Sequence, residues 1–253
     1  MSAIEQHARA SKDFETKLAA TRSALQQLVK DHPRTPGAAT APVVQASSLG
    51  AEDVVVSHLL NSLELDVGIF VLQTGMLHAQ TLALLDQLTA TSRAPVTVYE
   101  PRSEAVVQFT AREGKDAMYK SIALRKACCD IRKMEPLARA LEAKSAWITG
   151  LRREQSGARA DVPLRDLSDP VRVKLNPLVD WTWGDVWHYI QLNALAYNPL
   201  HDQFFPSIGC APCTRAISLG EDFRAGRWWW EIDAAKECGL HVTPTEQPEG
   251  ISA

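Results

Sequence analysis

The amino-acid sequence predicts an α/β fold, a mainly parallel sheet flanked by helices, with a loop-rich, cysteine-bearing C-terminal region. Three observations carry this. Short apolar stretches of strand length alternate with segments whose leucines recur at helical spacing. The stretch "DVGIFVLQTG" (66–75) is apolar on both of its alternating faces, as in strands covered by helices on both sides. Polar loops follow the apolar stretches, where open parallel sheets bind ligands.

In chain order, the segment up to about Val29 reads as one amphipathic helix, and "KDHPRTPGAATAP" (30–42) as a Pro/Gly/Ala linker. "VVQASS" (43–48) is a first strand. Gly50 marks a turn, Glu52 and Asp53 fall in a first helical turn, and the apolar run continues that helix. The stretch 66–75 is the second strand and "HAQTLALLDQLTA" (78–90) a helix. "APVTVYEP" (94–101), "SAWITGLRREQS" (145–156) and "VRVKLNPL" (171–178) carry a third, fourth and fifth strand. The loops to inspect are "SSLGAED", "QTGMLH", "YEPRSE" and "GLRREQS". Beyond Asp180, "WTWGDVWHYI" (181–190) is a helix with an aromatic face suited to core packing. "GRWWWEIDAAKECGLH" (226–241) reads as a short helix ending near Gly239, and the last twelve residues, 242–253, as a flexible tail. The division is an N-terminal helix and linker (1–40), a main domain (41–241) and the tail.

The chain has 253 residues, a formal net charge of −3 and 45% hydrophobic residues. The charge argues against general nucleic-acid binding, and no apolar run reaches membrane-spanning length. No stretch resembles a signal peptide, so a cytoplasmic enzyme with reduced thiols is expected. Five cysteines then suggest metal or redox chemistry rather than a disulfide framework. Cys210 and Cys213 form a C-x-x-C motif, and Cys128 and Cys129 are adjacent. Adjacent residues on a helix point about 100° apart, awkward for one compact ion and natural for separate corners of a larger cluster. An iron–sulfur cluster, a zinc ion, and two buried cysteines beside an unrelated C-x-x-C all stay open. Cys238, in "KECGLH" before the tail, is either a nucleophile, with Gly239 and His241 near it, or an exposed thiol without a role.

Taken together, the CC pair, the C-x-x-C motif and E-C-G-L-H closely resemble the assimilatory sulfonucleotide reductases. "SSLGAED", "QTGMLHAQT", "WITGLRREQSGAR", "NPLVDWTWGDVWHYI" and "YNPLHDQFFPSIGCAPCTRA" resemble segments of that family too, so the likeness runs from about Val43 to His241. Both cysteine pairs match the branch that reduces adenosine 5′-phosphosulfate (APS). Most members that use the 3′-phosphorylated nucleotide (PAPS) lack both pairs.

The resemblance implies an adenine nucleotide α-hydrolase-like, PP-loop type of fold. It implies a 4Fe-4S cluster on Cys128, Cys129, Cys210 and Cys213, and a nucleophilic Cys238 that carries a thiosulfonate. Thioredoxin or a similar dithiol protein would then release sulfite. Ser47, Ser48 and Gly50 would bind phosphate at a helix start, with an ordinary N-cap as the other reading. Thr74, Gly75 and His78 would line the nucleotide pocket, although His78 also suits a capping role. Lys133, four residues after Cys129, would sit between cluster and substrate if the helix continues. Of Arg152 and Arg153, one is expected at the phosphate. Arg224 and Arg227, three apart and read as sharing a helical face, resemble the family's sulfonate and phosphate contacts. The rivals are a PAPS reductase, an adenylating PP-loop enzyme (whose S-G-G-x-D-S loop "SSLGAED" departs from) and a non-catalytic iron–sulfur or zinc protein. The tryptophan-rich C-terminal region serves a core or a homo-oligomer interface equally well.

Overall fold

The computed structural model describes residues 1–231. Its centre is a six-stranded sheet in the order β3-β2-β1-β4-β6-β5. The strands are β1 (Val43–Ser47), β2 (Gly68–Leu72), β3 (Val96–Tyr99), β4 (Ala146–Ile148), β5 (Arg165–Asp166) and β6 (Val173–Leu175). All neighbours pair in parallel except β5, which runs antiparallel to β6 at the edge. The two-residue β5 is too short to leave a periodic signal in the sequence, and no expectation covered it. The other five strands fall where the apolar stretches placed them.

Helices cover both faces. One core joins β1, β4 and β6 to α2 (Phe14–Asp31), α3 (Ala51–Ser62) and α9 (Trp183–Leu192). A second packs Val44, Phe70 and Trp147 against Leu137, Ala140 and Leu141 at and just after α8 (Glu135–Ala140). The only fully buried side-chain amide on β1, Gln45, is satisfied locally. It donates to the Asp53 carbonyl and accepts from the Ser57 hydroxyl, both at 2.9 Å, and so ties β1 to α3.

The N-terminal helix is broken. α1 spans Ala3–His7, and α2 begins only at Phe14. Tertiary hydrogen bonds account for the break. The Arg9 amide donates to the Gly184 carbonyl at 3.3 Å, and the Ser11 amide to Asp185 Oδ1 at 2.7 Å. These amides therefore serve the start of α9 instead of an intrahelical ladder. Burial pushes the Asp185 pKa up, but hydrogen bonds from Ser11 and Thr182 outweigh it and hold the carboxyl below its ordinary range. Lys17 completes the pairing at 3.2 Å. Phe14, Leu18, Leu25 and Leu28 of α2 lie in the principal core.

The remaining helices are α4 (Ala79–Thr91), α5 (Ser103–Glu113), α6 (Ala117–Lys120) and α7 (Ile122–Cys129). α7 runs without a break through a π-helical turn, Asp130–Met134, into α8. A π turn bonds i to i+5, so the face count behind the Lys133 expectation does not hold there. The segment around Arg224 and Arg227 is a chain of turns, not a helix. The amide of Arg227 closes one turn on the Arg224 carbonyl at 2.8 Å.

Candidate active site

β1 has β2 on one side and β4 on the other, so the connections leaving β1 and β4 diverge. Such a point opens a crevice at the carboxyl ends of the strands. A cavity of about 210 Å³ lies there, lined by Ser47 at the end of β1, by Ser48 and Gly50 just beyond it, and by Thr149, Gly150 and Leu151 after β4. Close approach sets the choice of glycine at 150, where a Cβ would stand 2.6 Å from Asp53 Oδ1. Of the four loops singled out, the one after β3 ("YEPRSE") contributes nothing to the lining.

The loop after β1 is occupied differently from the expected phosphate cradle. Ser48 gives its amide and its hydroxyl to Asp53 Oδ2, at 2.6 and 2.7 Å. Ser47 Oγ accepts the Leu49 amide at 3.3 Å. Asp53, in the first turn of α3, thus takes the Ser48 donors that were expected to hold a phosphate. Burial raises the Asp53 carboxyl to about 6, the Ser48 hydrogen bonds acting against it.

Cations line the cavity from other parts of the chain: Lys133, Arg159, Arg224 and Arg227. Arg227 is the most telling. It is 7% exposed, its Nη1 lies 3.2 Å from the Ile208 carbonyl, and its Nε has no acceptor among the described residues. A buried guanidinium edge of this kind suits an anionic ligand. Gly209 lies directly under it, and any Cβ there would overlap the guanidinium.

Arg152 is not part of the lining. It is 1% exposed and donates to Glu52 Oε1 at 3.0 Å and Glu154 Oε2 at 2.8 Å. Its charge neutralises α3's first turn instead of meeting a ligand. Arg153 pairs with Asp180 at the surface. Arg159 takes the place expected of one of them. It stands at the end of "WITGLRREQSGAR", and only the adjacency of α3 and the loop after β4 distinguishes it from its neighbours. His201 was also missed. It lines the cavity, and burial lowers its pKa to about 4, so the ring is neutral at pH 7. Gly75 and His78 do not line the cavity either. Gly75 takes a left-handed φ of 74° beside Arg132, and His78 is the N-cap of α4.

A second, small cavity adjoins the first and is lined by Cys128, Cys129, Cys210 and Cys213 together with Met76, Met118 and Trp228. All four cysteines are free thiols. Two contacts tie the C-x-x-C motif to the loop after β2. The Ala211 amide donates to the Met76 carbonyl at 2.7 Å, and Thr74 Oγ1 sits 3.3 Å from Cys210 Sγ. Arg132 donates to the Thr74 carbonyl at 2.7 Å, binding the π turn to the same loop. Burial drives the Cys213 thiol up to about 11, with the Cys210 charge adding to it, and burial likewise raises Cys128. No group of three or more His, Cys, Asp or Glu among the described residues is arranged around one metal ion. Lys133, Cys210 and Trp228 line both cavities, so the shared wall holds a lysine and a sulfur. Cys238 lies outside the described residues.

Residues 42–216 match the model of the phosphoadenosine phosphosulfate reductase domain. The chain belongs to this reductase family. It is 49% identical over 201 residues to the adenosine 5'-phosphosulfate reductase of Allochromatium vinosum, covering 79% of this chain and 78% of that protein. Likeness to the Burkholderia cepacia protein of the same name is also 49%, over 78% of this chain and 80% of the other. Among solved structures, the phosphoadenylyl-sulfate reductase of Candida auris superposes with a TM-score of 0.64 at 22% identity, over 81% of this chain and 97% of that one. FMN adenylyltransferase of Candida glabrata superposes at 0.55 with 11% identity, over 93% and 82%. At those identities the likeness is one of fold. Reductase and adenylyltransferase share this sheet, so the family's chemistry rests on the site, not on the architecture.

Proposed function

We propose that this chain reduces APS to sulfite and AMP through a thiosulfonate on Cys238, as part of sulfate assimilation in the cytoplasm. The observation that carries the proposal is the shared wall. A cavity lined by Lys133, Arg159, Arg224 and Arg227 meets a four-thiol cavity at Lys133 and Cys210. The first suits a dianionic phosphosulfate and the second a redox-family cofactor. The names of the relatives at 49% identity support the same substrate.

The steps balance as follows. The Cys238 thiolate attacks the APS sulfur, the S–O bond to the phosphate breaks, and AMP leaves. A thiolate of thioredoxin or a similar dithiol protein then attacks Cys238 Sγ, expelling sulfite. The partner's second thiol resolves the mixed disulfide. Two electrons pass from the dithiol to sulfur, and Cys238 returns as a thiol. The cationic residues counter charge on the sulfonate and on the leaving phosphate.

The donor set fits a 4Fe-4S cluster: four free thiols surround one cavity without converging as ligands of a single ion. Cys128, Cys129, Cys210 and Cys213 would hold it, and when bound it would organise the field at the sulfonate without giving up an electron. Lys133 links that cavity to the substrate.

To test this, the anaerobically purified, reduced protein is incubated separately with APS and PAPS, and its peptides are mapped by mass. The expected result is a sulfonate adduct on Cys238 from APS with one AMP released. Efficient adduct formation only from PAPS would move the substrate assignment to the 3′-phosphorylated nucleotide. No adduct from either would overturn the nucleophile. A variant probes the anion wall. Gly209→Ala should displace Arg227 and weaken AMP binding about tenfold or more, the scale of a hydrogen bond to a charged group. Unchanged affinity by calorimetry would remove Arg227 from the phosphate.

A further inference from the structure

Arg125 and Glu231 form a buried ion pair that none of the chemistry above uses. Arg125 stands on α7, three residues before Cys128, and is 1% exposed. Its Nε and Nη2 donate to the two carboxylate oxygens of Glu231 at 2.9 and 2.8 Å, a two-point fork. Side-chain exposures of 1% and 2% leave water no access to it.

Glu231 is the last described residue, and Cys238 follows seven positions later. The turn that delivers Glu231 is itself unusual. Trp228 adopts a left-handed φ of 43°, which costs a bulky residue energy and persists only where surroundings enforce it. Three contacts enforce it here. The Trp228 amide donates to the Cys213 carbonyl at 3.1 Å. Its ring takes the guanidinium of Arg125 at 4.7 Å and that of Arg227 at 4.8 Å. The Glu231 amide then closes on the Trp228 carbonyl at 2.9 Å. One turn is thereby fixed to the thiol-bearing helix, the C-x-x-C loop and a cavity arginine.

We infer that Arg125 and Glu231 are positioning residues: their ion pair clamps the base of the segment that carries Cys238. Seven residues reach at most about 25 Å, so the anchor point limits where the thiolate can go. A fixed anchor narrows the volume a tethered group can search for its reaction partner, and a loose one widens it. Two charges hidden at this point are poor stabilisers, since a well-packed apolar pair serves stability as well, so geometry is the better account of them.

This inference rests on the function proposed above. Two variants test it in the iron-loaded protein, Glu231→Gln and the double change Arg125→Met with Glu231→Met, which removes both charges of the pair. Iron content, AMP affinity, iodoacetamide labelling of Cys238 and the single-turnover rate of its APS adduct are measured. The expected result is a variant with parental iron and AMP affinity, faster labelling, and an adduct rate lower by on the order of tenfold or more. A smaller loss of rate overturns the clamp. So does loss of iron and AMP binding in both variants along with the rate, which would make the pair a structural support only. If the parent protein itself forms no adduct, the functional reading falls and the clamp falls with it.

Discussion

Cys238→Ser is expected to abolish sulfite formation, by about 10⁴-fold or more, the order of loss when a catalytic nucleophile is removed. A serine hydroxyl is a far weaker nucleophile than a thiolate at pH 7. AMP affinity should stay within about twofold, because the cationic lining of the cavity comes from residues 133, 159, 224 and 227. Iron content should be unchanged too, since the cluster reading uses only the other four cysteines. Sulfite production that survives at more than a few per cent of parental rate would show that another group receives the sulfonate. Parallel loss of AMP binding would show that Cys238 supports the pocket rather than reacting in it.

The second large effect is on stability. Trp187→Ala should lower the unfolding free energy by about 3–5 kcal/mol and the Tm by on the order of 10 °C. Trp187 is fully buried on α9. Its ring meets Trp183 at 5.3 Å, Tyr197 at 4.9 Å and His201 at 5.2 Å, all edge-on. His7 of α1 reaches the same ring at 6.4 Å. Truncation therefore opens a cavity that rigid aromatic neighbours fill poorly. It also loosens the seat of His201 at the active-site cavity and the docking of α1. Denaturant titration measures the loss, and a change below about 1 kcal/mol would show that the site collapses readily. Hydrogen exchange should rise first in residues 3–13, which bond to the start of α9.

The fold was legible because its signals are local. Five strands and the principal helices follow from side-chain periodicities of two and about 3.6 residues, which a short window reveals. Where the expectation failed, the deciding partner was distant. One N-terminal helix became two because Arg9 and Ser11 bond to residues 184 and 185. Lys133 reaches the shared wall through a π turn, not by the i, i+4 count. Arg224 and Arg227 both line the cavity although their segment is a run of turns.

By itself, the sequence determined the parallel α/β architecture, the resemblance to the sulfonucleotide reductases, and the choice of five thiols as the reactive groups to follow. Residue type and spacing suffice for those, because thiol chemistry and strand–helix alternation are written in neighbouring letters. Only the tertiary structure decided which charges face a ligand. Arg152 and Arg159 are equivalent on paper, yet Glu52, a hundred residues earlier, engages Arg152, while Arg159 lines the cavity. Ser48, read as a phosphate donor, turned out to serve Asp53. The charge that neutralises a buried side chain is chosen by packing across the sheet. No local pattern can report it, since the free energy of a buried ion depends on its partners in space and not on its neighbours in sequence.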